Sequence, residues 1–435
     1  MRSRFLPSRR EFLIHLRQAL ARGVPSALVL GACGGAAQRQ AVGRLPTAAE
    51  VTLVESFPVE TELSHGLAET AGVWLDLVER ARRTLDLCAY YVSEAEPPHL
   101  ATSRLAPILA AIERAVGRGV RVRLLADARL AQTYPQALLR LAAAGVAVRR
   151  YDARAHLGWA LHAKYLVADE SDAFIGSQNL DWRALAHISE LGLRVRSGVL
   201  GSALAALFEL DWQLAGGSGP VVNGNGHAAA SLPVRAQDGT VLSLAASPRG
   251  ALPAAVPWDL PRLVALLEGA ARSIDVQVLI YSTASAEGPD GSRFTLLDDA
   301  LRRAAARGVR VRLLVSEWAQ RPQSESLRAL QDLAALRNVT VRVLAVPAWS
   351  QGEIPFARVA HSKFLVVDGE PAAAGGTKAW IGTSNWEGKY FYQSRNVGVF
   401  LDGSTLTQRL AAVFAASFSS RYARVLPART EPASP

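Results

Sequence analysis

His162-Ala-Lys164-Tyr-Leu-Val-Ala-Asp169 and His361-Ser-Lys363-Phe-Leu-Val-Val-Asp368 carry one pattern written twice, each followed by a small turn. The turns are Gly176-Ser177-Gln178-Asn179 and Gly382-Thr383-Ser384-Asn385. The chain has only four lysines, and these patterns hold two of them, while arginine supplies nearly all the other positive charge. A lysine kept at the same place in both copies points to a role that arginine fills badly. A compact ammonium contacts one phosphoryl oxygen as a point charge, where a guanidinium demands a planar, two-pronged partner. His and Lys two positions apart on a strand share a face. The apolar residues after each Lys read as that strand.

The duplication extends outward from the motifs. Ala81-Arg-Arg-Thr-Leu-Asp-Leu87 is echoed by Ala270-Ala-Arg-Ser-Ile-Asp-Val276. Arg118-Gly-Val-Arg-Val-Arg-Leu-Leu125 is echoed by Arg307-Gly-Val-Arg-Val-Arg-Leu-Leu314, at the same offset along the chain. An ordered repeat at fixed spacing marks two copies of one unit. Helix-period and strand-period stretches alternate in each, predicting an α/β fold of two pseudo-twofold-related α/β/α halves. Each half is expected to hold a mainly parallel sheet flanked by helices, with one active site between the halves. The expected boundaries are a leader at 1–33, a tether at 34–50, halves at 51–222 and 232–427, a Gly-rich linker at 223–231, and a loose tail at 428–435.

Composition narrows the class. Of the 435 residues 50% are apolar, and the formal charge is +10. Residues 1–32 hold six arginines against one glutamate, so the rest of the chain is only mildly basic. That is compatible with nucleic acid or anionic lipid and equally with an ordinary solvated surface. Ser8-Arg9-Arg10-Glu11-Phe12-Leu13 looks like a twin-arginine export motif, and Leu30-Gly31-Ala32-Cys33 looks like a lipobox in which Cys33 is lipidated after cleavage. The expected location is therefore the periplasmic face of a cell envelope, anchored by lipid on Cys33. The other cysteine, Cys88, falls in a strand-like run and is expected to pack as a small apolar residue.

Two histidines facing one phosphate imply nucleophilic and acid–base chemistry. One neutral imidazole attacks phosphorus, the other gives a proton to the leaving oxygen, and water then releases the phosphohistidine with the roles reversed. Lys164, Lys363, Asn179 and Asn385 are expected to hold the non-bridging oxygens. Ser177 and Ser384 offer hydroxyls at the turns, and Trp386, Tyr390 and Phe391 offer rings to the substrate, with core packing as the plainer alternative. Two ammonium groups beside the histidines repel a cation, so neither a metal nor another cofactor is expected. The copies differ at one place. Glu190 precedes the strand-like Leu191-Gly-Leu-Arg-Val195 in the first, and the equivalent position before Val397-Gly-Val-Phe400 in the second, allowing for an insertion between Asp368 and Gly382, is Asn396. A carboxylate on the far nitrogen of an imidazole fixes its tautomer and stabilises its cation. On that ground Glu190 is expected to support His162 as nucleophile, leaving His361 as acid and base.

The duplicated His-x-Lys-x4-Asp pattern resembles the phospholipase D superfamily. The resemblance covers nearly the whole chain after the leader. Val54-Glu-Ser-Phe-Pro58, Gly176 to Arg183, Phe208-Glu-Leu-Asp-Trp212, Ile354 to His361 and Ile381 to Phe391 look like one branch, which holds animal lysosomal phospholipases D and poxvirus envelope relatives. The resemblance implies a phosphodiesterase with His162, Lys164, Asp169, His361, Lys363 and Asp368 as its motif residues. It further implies action on single-stranded nucleic acid from the 5′ end. The alternatives are phospholipase or phosphatidyl-transfer chemistry on envelope phospholipids, and an inactive protein that only holds phosphate or lipid. The sequence carries no signal for an oligomeric state.

Overall fold

The motif strands are apolar at every position because both of their faces are covered. Tyr165 and Val167 point into one core and Leu166 and Ala168 into another. Phe364 and Val366 share the first of these cores, while Leu365 and Val367 enter a third. The computed structural model describes residues 48–96, 99–217, 233–283, 292–320, 325–369, 376–403 and 405–429. The first half runs β1 (Glu50–Ser56), α1 (Thr70–Arg80), β2 (Thr84–Ala89), α2 (Ala106–Gly117), β3 (Arg121–Asp127), β4 (Ala147–Tyr151), β5 (Tyr165–Ala168), β6 (Asp172–Gly176), β7 (Glu190–Arg196) and α3 (Gly198–Ala215). The second runs β8 (Val241–Ser247), α4 (Asp259–Glu268), β9 (Ser273–Val278), α5 (Leu296–Ala306), β10 (Arg310–Ser316), β11 (Val339–Leu344), β12 (Phe364–Val367), β13 (Lys378–Gly382), β14 (Ser394–Asp402) and α6 (Thr405–Ser419).

Strand order is β1-β7-β6-β5-β2-β3-β4 in one sheet and β8-β14-β13-β12-β9-β10-β11 in the other, the same order in both, with short strands added at the edges. The α/β architecture expected from the alternation is the one observed, and both sheets are mixed. Strands linked by helical crossovers, β2-β3-β4 and β9-β10-β11, run parallel. The strands that carry the motifs and their turns, β5-β6-β7 and β12-β13-β14, run antiparallel, with a tight turn between β5 and β6.

The packing follows from which helix faces are apolar. Leu204, Leu207 and Phe208 of α3 and Leu410, Val413 and Phe414 of α6 fill one core together with the facing sides of both sheets. Helices α1 and α2 close the outer face of the first sheet, and α4 and α5 that of the second. Arg395 on β14 and Asp211 on α3 form a fully buried ion pair across the halves, at 2.7 and 2.8 Å. Two more guanidinium N–H groups donate to the carbonyls of Ser247 and Ala251, the kind of support that a charge without access to water requires. Residues from Ala48 onward form one compact unit. Among the described residues, no helix is long and apolar enough to cross a membrane. Cys88 is free and buried on β2, as its apolar neighbours imply. The twin-arginine motif, Cys33 and the expected linker lie outside the described residues.

Candidate active site

The two motifs meet because the halves exchange short pairings where the motifs begin. Ala160-Leu161 runs parallel to Ser394-Arg395, and Ser189 bridges Ala360 in the mirrored relation. The chain therefore leaves a pairing with the opposite half at residue 161 and enters its own sheet at Tyr165. His162, Ala163 and Lys164 span the gap as irregular backbone, as do His361, Ser362 and Lys363. The expectation that His and Lys ride on the strand itself is thus corrected by a few residues.

Each histidine is tied through Nδ1 to the opposite half. His361 Nδ1 donates to the Glu190 carboxylate at 2.8 and 2.9 Å. His162 Nδ1 lies 2.9 Å from Asn396 Oδ1. The Asn396 amide nitrogen donates to the Tyr390 carbonyl at 2.8 Å and its oxygen accepts from Thr383 Oγ1, so the Asn396 oxygen must be the acceptor for His162. Both rings therefore carry the Nδ1 proton when neutral and keep Nε2 bare. The equivalence of Glu190 and Asn396 holds in the register: Glu190 faces Ser56 on β1 and Asn396 faces Ser247 on β8. Their partners are the reverse of the expectation. Glu190 supports His361, not His162, because each side chain at the start of its strand reaches across the pseudo-twofold axis.

Charge follows burial. Burial, reinforced by Lys164 and Lys363, holds His162 well below the ordinary imidazole value. Burial brings His361 down to about 4, with the Glu190 carboxylate opposing the fall. Burial raises the Glu190 carboxyl, but His361 and Lys363 more than offset it, so the group stays ionised. Burial and the neighbouring ammonium push Lys164 well down, and burial brings Lys363 to about 7. Each Lys Nζ donates to the carbonyl of the histidine two residues earlier, at 2.5 Å in both halves. The site thus holds positive charge at a cost, which an anion would relieve.

A cavity of about 330 Å³ opens over the histidines, lined by His162, His361, Asn179, Asn385 and Tyr390 among others. Buried Asn179 Oδ1 meets no partner among the described residues, while Asn385 Oδ1 accepts weakly from the Ile280 N–H at 3.4 Å. The Gly that opens each turn is dictated by a ring beneath it. A Cβ on Gly176 would lie 2.8 Å from the Phe174 ring, and one on Gly382 2.5 Å from the Trp380 ring.

Several expected site residues do other work. Asp169 accepts from the backbone N–H groups of Arg82, Arg83 and Thr84 at 2.7–2.9 Å. Asp368 does the same for Ala271, Arg272 and Ser273. Both aspartates adopt a positive φ at the end of a motif strand, 52° and 54°, clamp the entry to β2 and β9, and are not among the residues that line the cavity. Ser177 exchanges hydrogen bonds with the backbone of Leu191, and buried Ser384 faces Asp259 at the start of α4. Neither residue lines the cavity, although Ser177 also hydrogen-bonds the Glu190 carboxylate behind His361. Trp386 is sealed in the core against Tyr281, and Phe391 stacks on Phe294 with centroids 5.5 Å apart. Of the three expected rings only Tyr390 reaches the site, edge-on to His162 at 4.9 Å.

The cavity also holds residues that the motifs did not name. Tyr90 meets His162 edge-on at 5.0 Å and lies under Lys164 Nζ at 5.1 Å. Tyr91 stacks on Tyr134, and Arg183 is held there by Asp181 at 2.9 Å. At the offset that relates Ala81 to Ala270, Tyr90 and Tyr91 correspond to Leu279 and Ile280. Those two line the opposite wall with Ile188, Val359, Trp318 and the 69% exposed Phe356. The signal was the Tyr90-Tyr91 pair at the C-terminal end of a parallel strand, where α/β sheets place their ligands.

A family model described as "Cardiolipin synthase, PLD-like domain" matches residues 74–212 and 263–418. The "5'-3' exonuclease PLD4" of Mus musculus is 30% identical over 407 residues, covering 86% of this chain and 79% of the relative. The "Phospholipase D Z" of Dictyostelium discoideum is 28% identical over 389 residues, covering 86% and 90%. Among solved structures, a phosphatidylserine synthase from Haemophilus influenzae Rd KW20 superposes with a TM-score of 0.53 at 14% identity, over 82% of this chain and 85% of that one. At that identity the likeness concerns the fold.

Proposed function

Because the chain belongs to the phospholipase D superfamily, whose phosphodiesterase activity it shares, we propose that it cleaves single-stranded nucleic acid through a phosphohistidine on His162. The observation that supports the substrate is the wall of tyrosines beside the histidines: Tyr90, Tyr91, Tyr134 and Tyr390 offer stacking faces that every base can use. The relatives named as 5'-3' exonucleases are in keeping with it.

In the proposed first step, bare Nε2 of His162 attacks phosphorus. Burial and two neighbouring ammonium groups keep this ring neutral, and neutral Asn396 gives it no charge to hold a proton. A phosphodiester anion seated against Lys164 and Lys363 restores their charge and raises His361, which only Glu190 supports with a carboxylate. His361 then gives its Nε2 proton to the departing oxygen. In the second step His361 takes a proton from water, the resulting hydroxide attacks phosphorus, and the bond to His162 breaks. Asn179 and Asn385 hold the non-bridging oxygens beside the two ammonium groups. No step calls for a metal.

The second reading is phosphatidyl transfer or phospholipid hydrolysis. The apolar wall of Leu279, Ile280, Trp318, Val359 and exposed Phe356 favours it. Incubating the purified protein in chelator with labelled single-stranded DNA and, separately, with phosphatidylcholine or phosphatidylglycerol vesicles separates the two. Release of nucleotides with intact lipid is expected. Lipid cleavage with intact DNA contradicts the proposal, and loss of all activity that zinc or magnesium restores contradicts the metal-free mechanism.

A further inference from the structure

A second cavity of about 570 Å³ adjoins the catalytic one, and Tyr134 lines both. Its other walls include Trp182, His99, Gln136, Glu94 and Glu96. Trp182 and Arg183 are neighbours on the short helix Trp182–Ala186, which starts directly after the turn that holds Asn179. Arg183 lines the catalytic cavity and Trp182 the second one, so a single helix start serves both. Ring contacts run outward from the catalytic histidine: His162 to Tyr90 at 5.0 Å, Tyr90 to Tyr91 at 5.8 Å, and Tyr91 stacked on Tyr134 at 5.1 Å. Beyond Tyr134, His99 stacks on Trp182 at 5.0 Å with the planes 14° apart.

The charge of this cavity selects what enters it. Arg140 is engaged by Glu94 at 2.5 Å and by Glu113 at 2.6 Å, and Glu96 adds a further carboxylate to the lining. The arginine of the lining is thus already engaged by carboxylates, and the wall offers a phosphate little attraction. Aromatic faces together with carboxylate acceptors suit a flat heterocycle that carries an exocyclic amine, since carboxylates accept from that amine and every base can stack. We propose that this cavity is a nucleobase subsite for the nucleotide next to the scissile phosphate, and that it favours cytosine and adenine over thymine and uracil. The inference rests on the nucleic-acid reading and adds to it a place and a base preference. The phosphate stays with the lysines, and the flanking base turns past Tyr134 onto the Trp182 side.

The test compares four substrates: oligo(dC), oligo(dT), phosphatidylcholine vesicles and bis(p-nitrophenyl) phosphate, a small diester that carries no base. The wild type is expected to prefer oligo(dC) over oligo(dT) by about five-fold or more in kcat/KM. Trp182→Ala is expected to lower kcat/KM for oligonucleotide, relative to that for the small diester, by roughly ten-fold or more through KM. Glu96→Gln alters an exposed side chain and is expected to erase the preference for dC while the protein stays folded. Equal losses on oligonucleotide and small diester in Trp182→Ala overturn the subsite, and so does an unchanged dC preference in Glu96→Gln. If the wild type cleaves the small diester and phosphatidylcholine but neither oligonucleotide, the nucleic-acid reading itself fails. That outcome is distinct from failure of the subsite alone.

Discussion

His162 and His361 occupy equivalent positions, and one oxygen-bearing side chain behind each sets them apart. A carboxylate behind His361 favours its imidazolium, while an amide behind His162 fixes the tautomer without favouring charge. A general acid matters less when the leaving group is stable without a proton. Glu190→Gln and His361→Ala are therefore expected to lose roughly 10²–10⁴ in kcat/KM on an alkoxide-leaving diester and far less on a p-nitrophenyl diester. His162→Ala should be inactive on both; equal rescue of all three variants contradicts the assignment. Lys363 sets a second expectation. Its folded value of about 7 lies below the ordinary lysine range, so protonated Lys363 opposes folding at and below neutrality. Stability from this group is gained as pH rises from about 7 toward the unfolded value of about 10.4 and is lost as pH falls. Sulfate keeps its charge throughout that range and restores the ammonium when bound. It should raise Tm by several °C at pH 6 and by less at pH 9, and the opposite trend contradicts a cationic anion site.

The elements explain which motif letters were legible as chemistry and which only as architecture. The ordered repeat, the apolar motif strands and the small turns placed both histidines, both lysines and both asparagines at one site. Asp169 and Asp368 belong to the same patterns but serve as clamps, since the carboxylate at a left-handed turn accepts the first N–H groups of the adjacent strand. Partial burial works to raise Asp169, and the three backbone donors outweigh it, leaving the group below its ordinary value. Asp169→Ala should cost about 1–3 kcal/mol in urea unfolding while kcat of the folded enzyme changes by less than about three-fold. A loss in kcat as large as that of Asn179→Ala would return Asp169 to the reaction. The crossed partnership of Glu190 was not legible, because a duplicated sequence does not say whether a side chain serves its own half or the other. The fates of Trp386 and Phe391 were not legible either, since aromatic spacing near a motif does not separate core from wall.

At the scale of the whole molecule, the site exists only where the two halves meet. Asp211–Arg395 locks α3 to β14, and at the equivalent place Ser417 on α6 meets His65 Nε2 at 2.9 Å while His65 Nδ1 meets Glu55 at 2.9 Å. That Ser-His-Glu sequence has the order of a hydrolytic triad, but Ser417 is 3% exposed and the chain of bonds ties the loop after β1 to the second half. Ser8 to Leu13 resembles a twin-arginine export signal, a route that carries folded proteins, and from the lipobox-like Leu30-Gly31-Ala32-Cys33 we propose a lipid anchor at Cys33. Cell fractionation should find the wild type with the membrane, and Cys33→Ala soluble or unprocessed. Wild type in the cytoplasm with Met1 intact contradicts the anchor.

The central claim is that His162 attacks while His361, backed by Glu190 from the opposite half, carries the proton. A carboxylate can also stabilise a ring that becomes charged on attack, which would give the attack to His361 instead. Rapid alkaline quenching of the enzyme with labelled phosphodiester, followed by peptide mapping of the phosphohistidine, decides between them. The expected result is label on His162 in the wild type and none in His162→Ala. Label on His361 in the wild type would contradict the account.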